Sequence, residues 1–179
     1  LELGVNLAIG TDGANCSDNQ NMYEAMRAAL YMSHVRGPDV GQWLSTSEVL
    51  RAATEGGARA LGLEKIGRVA PGYKADIVFL DLGQVNWIPF NDPVNQIVQT
   101  EDGTGVRHVM VGGEMVVKDR APVRVNMAAL ARDAEAARAR LEAANAERKV
   151  LFEKLAPEIS SYCPGLAAQP YHIHRYAAH

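Results

Sequence analysis

The sequence predicts an α/β chain in three stretches: a strand followed by two helices, then a small β module, then one long helix. Three patterns carry this. An apolar run closed by glycine at residues 5–9 precedes two stretches with three- and four-residue apolar spacing. Alternating residues at 106–110 and 114–117 flank Gly112-Gly113, a hairpin signature. From residue 127, alanine, leucine and charge recur with helical period to about residue 155.

Residues 5–9 read as a short buried strand. Residues 10–21 are small and polar and read as a loop. Met22, Met26, Ala29, Leu30 and Ser33 mark a helix to about His34 or Val35, ended by Gly37-Pro38. Ser45 with Glu48 three residues on is a capping box, opening a helix through Val49, Leu50, Ala53, Ala60 and Leu61. Gly56-Gly57 sits inside it at a cost of about 1 kcal/mol each relative to alanine, which implies close packing against a neighbour. Residues 77–80 read as a buried strand. The connection 83–105, with Trp87, Pro89, Phe90, Asn91 and Pro93, is long enough to require packing or function. Asn126 is placed to cap the last helix, whose apolar seam runs Leu130, Ala134, Ala137, Leu141, Ala144, Leu151 and Leu155. A surface helix lying on a larger body is the expected reading, and a coiled coil the alternative.

The formal net charge of -3, from 18 basic and 21 acidic residues, leaves no basic footprint for nucleic acid. No apolar run approaches the roughly 20 residues that span a bilayer, and no signal peptide is visible. Cys16 and Cys163 form no framework, so a reducing cytoplasm is the expected location. The sequence opens already inside patterned structure, and its first part has only one obvious parallel strand. A fragment or processed product is the corresponding expectation.

Several stretches in order resemble the metal-dependent amidohydrolase superfamily, in its aminohydrolase and chlorohydrolase branch. They are Gly10-Thr11-Asp12-Gly13 with Ser17-Asp18-Asn19, and Val49-Leu50-Arg51-Ala52-Ala53-Thr54 continuing through Gly56-Gly57 to Gly62. Ile66-Gly67-Arg68-Val69, Pro71-Gly72-Tyr73-Lys74-Ala75-Asp76-Ile77-Val78 and Val106-Arg107-His108-Val109 follow. The resemblance implies the C-terminal part of a (β/α)8 TIM barrel at residues 1–62, its last strand and following helices. It implies part of a small composite β-sandwich at 63–125, and a C-terminal helix and tail packing on the barrel at 126–179.

The same resemblance makes Asp12 both ligand to one divalent ion (zinc, with iron or manganese as alternatives) and proton carrier. Such an ion lowers the pKa of bound water toward about 7, and a carboxylate beside it shuttles the proton. Asn15, Ser17, Asp18 and Asn19 would touch substrate or support Asp12, or simply bond the local backbone. The implied reaction is hydrolysis of a non-peptide C–N bond, a deamination of a purine, pyrimidine or related heteroaromatic amine. The implied partners are that substrate, the remaining N-terminal part of the barrel and a second copy of the chain, with no nucleic acid and no membrane.

The family's His-x-His pair and two further strand-end histidines fall upstream of these residues. None of His34, His108, His172, His174 and His179 stands where a ligand is expected. A noncatalytic assembly segment or truncated product is therefore the competing reading. His172 and His174 could form a metal-binding pair, but docking of the aromatic tail is preferred, and His108 reads as a sheet residue. Cys16 has no histidine partner and reads as an ordinary small residue. Trp87, Pro89, Phe90 and Asn91 either line a substrate channel or, as preferred, pin the long connection.

Overall fold

The computed structural model describes residues 4–17 and 19–167. The chain divides into two units, one through Val123 and one from Arg124.

In the first unit, α1 (Ala14–Ser17) is a single turn and α2 (Met22–Ser33) a full helix. Asn21 caps α2 by accepting from Tyr23 N, and a 3-10 turn at His34–Arg36 carries the chain to Gly37, where the helix stops. The next helix is built in three pieces: α3 (Thr46–Arg51), a π turn at Ala52–Gly56, and α4 (Gly57–Ala60). Its capping box is complete, with Glu48 N bonded to Ser45 Oγ and Ser45 N bonded to Glu48 Oε2 at 2.8 Å. Ser45 Oγ also donates to Glu48 Oε2, at 2.7 Å, and the two bonds that the carboxyl accepts, the backbone bond first, hold it below its ordinary pKa.

The π turn explains the paired glycines. Ala52 O accepts from Gly57 N within the widened turn and from Ile9 N at 3.3 Å. Asn6 Nδ2 donates to Gly56 O at 3.0 Å. A Cβ on Gly56 would lie 2.0 Å from the backbone oxygen of Leu7, whereas the nearest atom to one on Gly57 is 4.0 Å away. Only Gly56 is required by close approach.

The expected strand at residues 5–9 does not form. A strand needs a ladder on at least one edge, and here one backbone bond and two bonds of the Asn6 side chain, to Gly56 O and from Arg59 Nε, tie the segment to the helix. Val5 is 68% exposed, so the segment is not buried either.

The connection 83–105 is not structureless. It holds a 3-10 turn at Val85–Trp87 and a helix, α5 (Pro93–Gln99), with Asp92 Oδ1 accepting from Asn95 N and proline in the first turn. Met26 and Leu30 of α2, Val49 of α3 and Val98 of α5 form the core, with Ile9, Leu44 and Ile97 packed on it. Full burial of Val49 and Val98 contributes about 1.5–3 kcal/mol each.

Four strands follow in one antiparallel sheet of order β1-β2-β3-β4: β1 (Ile77–Leu80), β2 (Val106–Val111), β3 (Glu114–Lys118) and β4 (Ala121–Pro122). Gly112 and Gly113 both have positive φ, 57° and 86°, which the tight β2–β3 turn requires. Asp76 Oδ1 accepts from Gly112 N at 2.6 Å, fastening the start of β1 to that turn. β1 is not buried as expected: Val78 is 51% and Phe79 37% exposed. Among the described residues there is no second sheet, and the open four-stranded sheet is consistent with part of a sandwich.

The second unit is one helix, α6 (Met127–Ala167), longer than its seam predicts. Asn126 Oδ1 accepts from Ala129 N at 3.0 Å, the expected cap. Arg138 bridges Glu135 and Glu142, each at 3.0 Å. Pro157 and Pro164 lie inside the helix, each removing one backbone donor. Among the described residues no helix is long and apolar enough to cross a membrane.

Two outcomes follow for this fold. Gly56→Ala should destabilise the protein by about 1–3 kcal/mol in chemical denaturation, with faster amide exchange at Ile9, while Gly57→Ala should be neutral or stabilising by up to about 1 kcal/mol. Equal effects at both positions would contradict the assigned contact. For Glu48 the sign is that of a depressed carboxyl: its contribution is present above the unfolded pKa of about 4 and is lost as pH falls through the lower folded value. The stability gap between wild type and Glu48→Gln should therefore close in acid, as followed by denaturation at stepped pH.

Candidate functional site

Asp12 stands where the extended segment turns into α1. Its φ of 63° is left-handed, a conformation that aspartate tolerates better than most residues. Gly13 N donates to Asp12 Oδ1 at 2.7 Å and Thr11 Oγ1 donates to Asp12 O at 3.2 Å, so the strained turn is held by its own side chains. Asp12 is exposed, and Oδ2 accepts no hydrogen bond among the described residues. One carboxylate oxygen thus shapes the turn.

The polar loop divides after this point. The Asn15 amide folds over Gly13, close enough that a Cβ there would lie 2.6 Å from Asn15 Oδ1. Asn19 Nδ2 donates to the carboxylate of Glu24 on α2. Ser17 ends α1, and Asp18 lies outside the described residues. Asp12 and Asn15 thus flank one glycine, while Asn19 is tied to the next helix. Cys16 is a free, exposed thiol.

The two described histidines have other partners. His34 stacks on Trp43 with ring centroids 4.0 Å apart, and His108 Nδ1 accepts from Asp119 N at 3.1 Å, in the sheet as expected. His172, His174 and His179 lie outside the described residues. Among the described residues no three His, Cys, Asp or Glu side chains are grouped to hold a metal ion. Metal centres of this chemistry take three or more protein ligands, so Asp12 does not fit a complete centre by itself. An open cleft of about 410 Å³ lies elsewhere, lined by Val5, Leu7, Met32, Val35 and Leu44.

The polar feature that local sequence did not announce is Glu101. It is fully buried. Its Oε1 accepts from the backbone N–H groups of Asp102, Gly103 and Gly105 at 3.2, 2.7 and 3.0 Å, and its Oε2 from Trp87 Nε1 at 2.5 Å. Arg27 Nη2 of α2 donates to Glu101 O at 2.7 Å, and Asn21 Nδ2 donates to Asp102 O at 2.7 Å. Burial, and then the nearby Glu101 carboxylate, push the Tyr23 hydroxyl up to about 12. The end of the Asp12 loop is therefore clamped to the turn after α5. Trp87 is buried in that clamp and Phe90 is exposed, which supports pinning of the connection over a channel lining. The cluster of small residues after Glu101 was the available signal, because glycine and threonine turns expose converging N–H groups.

With this geometry in place, the relatives are informative. The sequence profile of the Amidohydrolase family matches residues 1–116. The chain belongs to the amidohydrolase family. It is 39% identical over 119 residues to a 5'-deoxyadenosine deaminase of Methanopyrus kandleri, covering 66% of this chain and 27% of that protein. It is 36% identical over 126 residues to a 5-methylthioadenosine/S-adenosylhomocysteine deaminase of Carboxydothermus hydrogenoformans, covering 70% and 29%. Among solved structures, a zinc-bound adenosine deaminase of Xanthomonas campestris superimposes with a TM-score of 0.74 at 33% identity, over 79% of this chain and 32% of that one. An Arthrobacter aurescens atrazine chlorohydrolase complexed with zinc gives 0.71 at 28% identity, over 75% and 30%. The chain spans less than a third of the length of these relatives.

Replacing Glu101 by glutamine tests the clamp. An amide cannot accept on both ends, so one donor group faces another donor, and the expected loss is about 1–3 kcal/mol with a changed environment for the Trp87 indole. Unchanged stability and unchanged tryptophan emission would show that the four bonds do not hold the segment.

Proposed function

We propose that this chain supplies the rear of a metal-dependent amidohydrolase that removes the exocyclic amino group of an adenosine-type nucleoside. What carries this reading is the exposed Asp12 carboxylate just after segment 5–9, within a family match whose relatives are named as deaminases of adenosine derivatives. Purines other than adenosine, pyrimidines and triazines belong to the same proposal, since the zinc-bound relatives include a chlorohydrolase.

In this reading the segment 5–9 serves as the last barrel strand, with ladder partners supplied by residues outside this sequence. Asp12 would be one of the residues holding a single divalent ion, zinc in the first instance and iron or manganese otherwise, which when bound would supply activated water. The His-x-His pair and two later histidines that the resemblance requires come from the same outside region. The reaction consumes water and the ring C–NH2 bond and yields a ring carbonyl and ammonia. Asp12 contributes by accepting a proton and returning it to the departing nitrogen, work that a positioned carboxylate performs. Asn15, Ser17, Asp18 and Asn19 are assigned to substrate contact or to support of Asp12.

One observation favours the competing reading of a noncatalytic segment: the described residues group no three metal-ligating side chains. Metal analysis and an ammonia-release assay on the protein purified from its source separate the two. The deaminase reading expects one divalent ion per chain and turnover of adenosine or 5'-deoxyadenosine. Asp12→Asn should then lower kcat by about 10²–10⁴-fold with the fold retained. A protein near 19.4 kDa with no stoichiometric metal and no ammonia release would establish the noncatalytic reading.

A further inference from the structure

α6 is the whole of the described second unit, and it leaves its apolar seam open. Leu130, Leu141, Leu151 and Leu155 are between 46% and 62% exposed. A helix of 41 residues, roughly 60 Å long, draws most of its stability from a packed face. We propose that this seam docks on the same seam of a second copy of the chain, antiparallel, in a two-fold coiled coil over residues 127–155.

The argument lies in what falls opposite what. The seam follows a heptad with Leu130, Ala137, Ala144 and Leu151 at one core position and Ala134, Leu141, Arg148 and Leu155 at the other. Reversing a copy about a point between residues 142 and 143 puts Leu130 opposite the copy's Leu155. It also puts Ala134 opposite Leu151, and Leu141 opposite Ala144. Large residues meet small ones in the middle of the seam, which lets two alanine-rich helices close without voids. Arg148 falls opposite Ala137, whose small side chain leaves room for the arginine stem to lie along the seam with its charge in water.

The flanking charges agree. The position before each second-type core residue reads Asp133, Arg140, Glu147 and Lys154, alternating in sign. In the reversed pair Asp133 faces Lys154 and Arg140 faces Glu147, twice each by symmetry. None of these four engages in an ion pair among the described residues, whereas Arg138 is already committed to Glu135 and Glu142. A parallel, in-register pair would instead bring Arg148 against its own copy in the core and would set Arg140 beside the uncharged Asn145. Size and charge therefore select the reversed copy.

Sedimentation velocity of the intact protein over a range of concentrations tests this, with two variants. Wild type should be dimeric. Arg140→Glu places like charges at both symmetry-related contacts and should weaken association roughly tenfold or more. Arg140→Glu combined with Glu147→Arg restores opposite signs only in the reversed register and should recover the wild-type association. A monomer at every concentration would overturn the proposal. So would a dimer unmoved by Arg140→Glu, or a double variant no tighter than the single one.

Discussion

The first unit depends on one contact, the approach of the Leu7 carbonyl to Gly56. A hydrogen atom is all that fits between them, since a Cβ would sit 2.0 Å from the oxygen. The π turn at Ala52–Gly56 exists in the same place and presents Ala52 O to Ile9 N, while Gly56 O receives the Asn6 amide. Residues 6–9 are thereby held against the helix without a sheet partner, and Ile9 reaches the core beside Met26 and Val49. Asp12 is three residues beyond that anchor. The position of the candidate ligand is thus set by the fit of one glycine.

The other end of the loop is fixed by different chemistry. Glu101 is buried with four donors on its carboxylate, and its own carbonyl takes a guanidinium N–H from Arg27. Buried carboxylates are tolerated when their hydrogen bonds are made, and costly to disturb when one partner is changed. Asn21 joins this clamp through Asp102 O, so α2 begins at a defined place just after the polar loop. Between the two anchors the Thr11 and Asp12 side chains bond to local backbone groups and Asn19 bonds to Glu24.

Much of this was legible in the sequence where local rules act alone. The Ser45–Glu48 capping box, the Gly112-Gly113 hairpin and the Asn126 cap stand as read, because each depends on residues within a few positions. The close approach implied by Gly56-Gly57 is real at the first glycine only, since a glycine signals that space is scarce without saying from which side. Residues 5–9 were misjudged as a strand, and 77–80, a strand as read, were misjudged only in burial, for one reason: apolar runs announce burial, but burial and pairing are supplied by neighbours. Helix α5 was hidden inside a connection of tryptophan, prolines and asparagines, although Asp92-Pro93 is a recognisable start. Glu101 was missed because three of its four carboxylate partners are backbone N–H groups, which the glycines and threonine after it signal only indirectly.

For the candidate site, the sequence singled out Asp12, which the structure places as an exposed carboxylate at a left-handed turn after the extended segment, and the chain's family membership is the context for the role proposed for it. Among the described residues no three His, Cys, Asp or Glu side chains are grouped, so the proposed metal role of Asp12 requires ligands from outside them. Anomalous diffraction at a metal absorption edge, on crystals of the protein purified from its source, addresses this directly. The expected result is one divalent ion with an Asp12 carboxylate oxygen about 2.0–2.2 Å away and histidine nitrogens completing the set. A metal peak remote from Asp12, or none in an enzyme that still releases ammonia, would contradict the assignment.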